Sequence, residues 1–277
     1  MESAPNQALD SRLKQVTDER LDALSREMNA VGISALHDVL SPAEIAIAGD
    51  YVQRELDKHQ RQHFIYAGRP WLDASPLATF GQSPHLRRIL AGLYRRGTGK
   101  AAPDIDIVAA LRVLSGDLGL KASNLFHYDT YVVTALLPLV IPNGPNEPRG
   151  DLVMYPNLRR VRSSSVINLA EKALVQNSLT RSVLARETVQ RALGARVLPL
   201  EPGNMYFFWG MRSLHANQAC LPHSVRSTVL FHFANPHSGG ALDRLREWAH
   251  HRNSAPSERA RLPVTQARSA FDDQTPE

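Results

Sequence analysis

The chain has 277 residues, 43% of them hydrophobic and 21% charged, with a formal net charge of +5. That composition is enough to bury a sizeable core and excludes wholesale disorder. Lys and Arg are scattered among acids and lack the dense basic face of a nucleic-acid binder, and the single cysteine, Cys220, excludes an intrachain disulfide and a cysteine-based zinc knuckle. The N-terminal MESAPNQALDSRLKQ has no basic start followed by an apolar stretch, so it does not read as a secretory leader. The longest apolar run, Tyr131 to Pro142, falls short of the roughly 20 residues that a membrane helix needs. The expectation is a soluble cytoplasmic protein with no membrane or nucleic-acid partner, its oligomeric state left open.

In chain order, Leu9, Leu13, Val16, Leu21, Leu24 and Met28 keep approximate helical spacing and predict an amphipathic helix over 8–30. A short apolar piece, 31-VGISALHDVL-40, follows. The motif 41-SPAE-44 is a capping box with proline in the first turn and should start a helix running to about Lys58. Residues 60–83 read as irregular, long enough to form an active-site lid. Ser83-Pro84 then opens a helix over 84–96. Together these make a helical N-terminal region, 1–100.

From about Asp104 the pattern changes to short runs rich in Val, Ile, Leu, Phe and Tyr, separated by Gly, Pro and Asn. Strands are expected within 105–114, 125–141, 151–155, 196–200, 204–210 and 226–235, which suggests an antiparallel sandwich or barrel over 104–236. A helical insertion over 166–193 interrupts them. A last helix over 240–252 closes a single domain of residues 1–252, and the polar tail 253–277 reads as disordered.

His127 and Asp129 head the apolar run 125-LFHYDTYVVTALLPLVI-141. Residues at i and i+2 of an extended segment face one side, so an imidazole nitrogen and a carboxylate oxygen converge there as two ligands for a first-row divalent metal. Alone, the pair could equally be a hydrogen-bonded polar contact at a strand edge. A third ligand is supplied by His215, which lies between two expected strands; His223 is a rival, but it stands very close to Arg226. Two histidines and a carboxylate with open positions make the facial set used by non-haem Fe(II) oxygenases.

The order His127-x-Asp129, then His215, then Arg226 resembles the Fe(II)/2-oxoglutarate dioxygenases. With the lead-in 32-GISALHDVLSPAEI-45, it is most similar to their phytanoyl-CoA-hydroxylase-like group, over residues 20 to 235. The resemblance implies a mainly β fold with helices, its core a double-stranded β-helix of the jelly-roll or cupin-like kind. It implies Fe(II) on His127, Asp129 and His215, with 2-oxoglutarate as cosubstrate and O2 as oxidant. Arg226 would pair with the distal 2-oxoglutarate carboxylate, for which a planar guanidinium suits well, and Thr228 would stand where the family often has a serine. Asn124, Tyr131 and Thr134 are further candidate cosubstrate contacts. Related halogenases replace the carboxylate with a small residue, so Asp129 points to hydroxylation of an unactivated C–H bond, with release of succinate and CO2.

Tyr66, Arg69, Trp71, Trp209 and Arg159 are candidate substrate contacts, each with a plainer reading as core or solvated surface. The substrate is expected to be a small molecule: an amino acid, an acyl compound or a biosynthetic intermediate. Two alternatives stay open from sequence, an iron oxygenase or epoxidase that does not use 2-oxoglutarate and a non-catalytic β-helix binding protein.

Overall fold

The computed structural model of the chain describes residues 4–160 and 177–236, and these lie in the unit Met1–Pro236. The expected helix over 240–252, the tail from 253 and the first part of the helical insertion lie outside the described residues.

The N-terminal region is helical because its caps and apolar stripes agree. The expected helix over 8–30 is in fact two, α1 (Ala4–Lys14) and α2 (Asp18–Val31). Thr17 breaks them: its backbone is extended and its hydroxyl accepts from the Arg20 N–H at 3.2 Å, a local bond that competes with continuing the helix. Asp18 and Glu19 then sit in the first turn of α2, favourable to its dipole. After β1 (Ile33–Leu36), the capping box closes as expected at the start of α3 (Pro42–Lys58), with Ser41 N–H donating to Glu44 at 2.7 Å.

Residues 60–83 are more ordered than their Gly and Pro content predicts. They hold β2 (Phe64–Ala67), α4 (Arg69–Asp73) and α5 (Ala78–Gln82), and α6 (Pro84–Thr98) follows. The strand forms because Phe64–Ala67 pairs with a distant segment, which local composition does not reveal. The remaining elements are β3 (Val108–Leu114), α7 (Gly116–Lys121), β4 (Val133–Val140), β5 (Leu152–Tyr155), α8 (Ser178–Leu184), α9 (Glu187–Ala192), β6 (Arg196–Leu198), β7 (Met205–Phe208), β8 (Leu214–Asn217) and β9 (Arg226–Phe233).

The strands form two antiparallel sheets, a larger one ordered β1-β7-β4-β9-β3-β2 and a smaller one ordered β6-β5-β8. This is a sandwich of the jelly-roll kind with helices on the outer face of the larger sheet. Period-two alternation sorts the side chains. Ala135, Leu137, Leu139, Val229, Phe231, Phe233, Met205 and Phe207 join the helical residues in the principal core. Leu136, Leu230, Tyr206 and Phe208 turn the other way and meet Leu152 and Met154 of the smaller sheet. Each fully buried Leu or Phe contributes about 1.5–3 kcal/mol through removal of apolar surface from water. A third cluster, including Phe126, Tyr128, Tyr155 and Leu214, lies on the outer face of the smaller sheet with Leu184 of α8. Among the described residues no helix is long and apolar enough to cross a membrane.

Candidate metal centre

The segment carrying His127 and Asp129 is not the regular strand expected over 125–141. Only 133–140 is continuous strand, and the residues before it are tied to β8 by isolated bonds. His127 and His215 exchange both backbone hydrogen bonds at 3.0 Å, and Asn124 N–H donates to the Asn217 carbonyl at 2.8 Å. The extended geometry still applies: Tyr128 faces outward into the third core cluster, so His127 and Asp129 both turn into the space between the sheets.

There they meet His215. One ligand atom from each of the three lies within 4.8 Å of the others. Asp129 Oδ1 is 3.6 Å from His127 Nε2 and 3.5 Å from His215 Nε2. Both imidazoles are oriented from behind, Nδ1 of His127 on the Leu125 carbonyl at 2.8 Å and Nδ1 of His215 on the Ser213 carbonyl at 3.0 Å. A carbonyl only accepts, so each Nδ1 carries the proton and each Nε2 offers a lone pair to the common point.

The electrostatics agree with that assignment at His127, whereas at His215 the Asp129 carboxylate favours a proton on the ring, with which a metal ion would compete. Burial, and then His215, push His127 down to about 3, so its ring is neutral at ordinary pH. Burial alone would raise Asp129, but the charge and hydrogen bond of His215, then His232 and His127, hold its carboxyl well below the usual carboxylate range. Asp129 in turn raises His215 against the effect of burial.

The other carboxylate oxygen is held by residues that the sequence reading assigned elsewhere or passed over. The Thr134 hydroxyl, expected to contact cosubstrate, donates to Asp129 Oδ2 at 2.5 Å and lies 3.0 Å from His232 Nδ1. Since that hydroxyl proton is committed to the carboxylate, His232 Nδ1–H donates to Thr134, giving a chain His232 to Thr134 to Asp129. Tyr131 stacks on the His232 ring at 4.9 Å between centroids. Gly210 makes room for this arrangement: a Cβ there would stand 2.3 Å from Asp129 Oδ2 and 2.5 Å from the Thr134 hydroxyl. His232 was legible in principle, since alternation from Arg226 and Thr228 along β9 puts it on the same face.

Arg226 and Thr228 are both buried on that inward face. Arg226 is among the largest fully buried side chains, and its Nε has no hydrogen-bond partner among the described residues. It passes close to Gly150, where a Cβ would lie 2.6 Å from Arg226 Cδ. Burial pushes its guanidinium down to about 10, which still leaves it charged at neutral pH. Arg112 of β3, which the sequence reading did not single out, pairs directly opposite Thr228.

The candidate substrate contacts fall elsewhere. Tyr66 is on the helical side of β2, its hydroxyl donating to Glu55 at 2.8 Å, because Ile65 rather than Tyr66 shares Arg112's face. Trp71 and Trp209 are in the principal core, the Trp209 indole N–H donating to Asn29 at 3.0 Å. Arg69 is exposed and bonds Asp73 and the Gly81 carbonyl. Arg159 is buried with its guanidinium 3.8 Å from the centre of the outward-facing Tyr128 ring and its Nε on the Met211 carbonyl. It therefore sits behind the ligand segment, not in the space between the sheets.

No protein-family model matches the chain, and no curated protein matches its sequence. Solved structures do share its fold. A prolyl 4-hydroxylase from Phytophthora capsici aligns with a TM-score of 0.53 at 13% identity, covering 90% of this chain and 75% of its own. The non-haem α-ketoglutarate-dependent epimerase SnoN from nogalamycin biosynthesis aligns with a TM-score of 0.50 at 15% identity, covering 82% and 89%. SnoN in complex with Fe3+, α-ketoglutarate and nogalamycin RO aligns at 0.51 and 16%, covering 78% and 84%. At these identities the likeness establishes the fold, and His127, Asp129 and His215 give this chain a triad of the type that binds iron in non-haem oxygenases.

Proposed function

We propose that the chain is a non-haem Fe(II)/2-oxoglutarate-dependent oxygenase, of the phytanoyl-CoA-hydroxylase-like group, that hydroxylates a C–H bond of a small molecule. The observation that carries the reading is the convergence of His127, Asp129 and His215 beside a fully buried arginine with an unpartnered Nε. Two imidazole nitrogens and one carboxylate oxygen suit a first-row divalent ion and leave coordination positions free. A buried guanidinium without a counter-anion is costly, and a ligand carboxylate relieves that cost by bidentate pairing. Arg226 would therefore hold the distal carboxylate of 2-oxoglutarate, with Thr228 beside it.

Iron and 2-oxoglutarate would together supply the O2-activating oxidation that ends in succinate and CO2. The protein's own part is to fix the ligands, orient the substrate and keep water out. Thr134 and His232 hold Asp129 Oδ2, which would leave Oδ1 to bind the ion with His127 and His215. Asp129 keeps the position that a halide would need, which favours oxygen insertion over halogenation. The neighbours named as hydroxylase and epimerase carry different outcomes on one fold, so the fate of the substrate carbon would depend on its pose.

The test is anaerobic addition of Fe(II) and then 2-oxoglutarate to the purified chain. The expected result is a weak metal-to-ligand band in the visible, lost in His215→Ala. Absence of the band in a protein that retains iron would leave an oxygenase without 2-oxoglutarate as the better reading. Absence of metal binding altogether would leave a binding protein.

A further inference from the structure

Building on the assignment of Arg226 to 2-oxoglutarate, we infer that Arg112 is a second anion-binding residue of the interior and that the primary substrate is an organic monoanion, a carboxylate, which pairs with it.

Arg112 lies on β3 directly between Thr228 of β9 and Ile65 of β2, and residues paired across antiparallel strands share a face. It is therefore in the same cluster as Arg226 and Thr228. One of its amino groups donates to the Ala122 carbonyl at 2.6 Å, while its Nε is buried with no hydrogen-bond partner among the described residues. The interior thus holds two guanidinium groups whose Nε atoms both lack acceptors. They are near enough that Arg226, after burial itself, depresses Arg112, and the Arg112 charge is felt at both His127 and His215.

The available anions do not balance this charge. Asp129 belongs to the metal triad, and Asp151, whose field reaches Arg226, shares Arg149 with Glu201 and makes no hydrogen bond or ion pair to either buried arginine among the described residues. A divalent ion, Asp129, the two arginines and dianionic 2-oxoglutarate together leave one positive charge. One further negative group on the substrate removes it, and Arg112 is the cation left without a counter-anion once Arg226 has taken the cosubstrate. Ile65, Arg112's neighbour on that face, is 55% exposed despite being apolar. An acid with an apolar body beside its carboxylate would cover it. The plainer role for Arg112, closing the end of α7 through Ala122, uses one donor and gives no reason for burying Nε unpaired.

The two roles separate on the full chain. Arg112→Met, with Arg112→Lys and Arg112→Gln as second variants, is compared with wild type and Arg226→Met. Removing an uncompensated buried cation should raise the ligand-free melting temperature by about 2 °C or more. A fall in all three variants would mean that Arg112 is structural and would overturn the inference. With Zn(II) bound, 2-oxoglutarate affinity in Arg112→Met should stay within about threefold of wild type, against a loss of about a hundredfold in Arg226→Met. Equal losses would place Arg112 in the cosubstrate site and overturn it.

The substrate side is probed with propionate and its neutral counterpart propionamide at matched ionic strength, on protein saturated with Zn(II) and 2-oxoglutarate. Propionate should stabilise wild type more than propionamide does, and Arg112→Met should abolish the difference while Arg112→Lys keeps part of it. No difference in wild type would overturn the inference. If wild type binds no 2-oxoglutarate, the cosubstrate assignment fails by itself. The propionate comparison is then read without it, an Arg112-dependent preference for the anion supporting the inference and its absence overturning it.

Discussion

The Thr134 hydroxyl donates to Oδ2 of Asp129 at 2.5 Å, so that Oδ1 alone faces His127 and His215. Thr134 is the second residue of the long buried strand β4, and its partner stands on the irregular segment before that strand. The bond ties the ligand segment to the larger sheet, while the backbone bridge from His127 to His215 ties it to the smaller one.

Replacing Thr134 by Val keeps the shape and removes the donor. The expected result is a loss of about 10–100-fold in Zn(II) or Fe(II) affinity, the usual effect of losing a group that orients a metal ligand. Thr134→Ser should restore most of it. Metal titration calorimetry checks both, and unchanged affinity in Thr134→Val would show that the bond does not position Asp129.

Gly210→Ala should be as damaging as a change of ligand. Its Cβ would fall 2.3 Å from Asp129 Oδ2, beside buried groups with nowhere to go. We expect at least about a tenfold loss of metal affinity in a chain that still folds. Bound metal per chain after gel filtration, with circular dichroism for folding, tests this.

Arg226→Met should cost 2-oxoglutarate about 2–4 kcal/mol of binding, since a charge-assisted bidentate pair is lost. Arg226→Lys should recover part of it, because an ammonium presents no planar fork. Anaerobic titration of the Fe(II) protein with 2-oxoglutarate reads the difference. Equal affinity in all three proteins would remove Arg226 from the cosubstrate site.

Trp209→Ala should act on stability alone. The ring is fully buried against Gly97 and anchored on Asn29, on the helical side of the larger sheet. A loss of about 3–5 kcal/mol in denaturant unfolding is expected, as for other large-to-small core changes, with 2-oxoglutarate affinity of the folded fraction unchanged. A selective loss of ligand binding without loss of stability would place Trp209 in the site after all.

Much of the site could be read from local pattern. His127 and Asp129 share a face because extended backbone alternates, and Tyr128 between them duly points outward. The same rule carries from Arg226 to Thr228 and on to His232. The capping box at Ser41 and Glu44 formed as its spacing predicts, because a cap needs only its own turn. Local pattern misled at residues 60–83, where Gly and Pro suggested a loose segment; pairing of Phe64–Ala67 with β3 made a strand of it.

The sequence by itself determined which side chains alternate, which segments are apolar enough to be buried and which residues have the chemistry to bind a divalent ion. Only the tertiary structure decided which of two alternating faces is the inside. That choice turned Tyr66 toward the helices and brought Arg112 inward, while tertiary packing made Trp71 and Trp209 core and Arg159 a brace behind Tyr128. It also set Gly210 and His232 against a carboxylate and a hydroxyl far away in the chain. Periodicity is a property of one segment's backbone, whereas inward and outward are defined by the second sheet that packs against it.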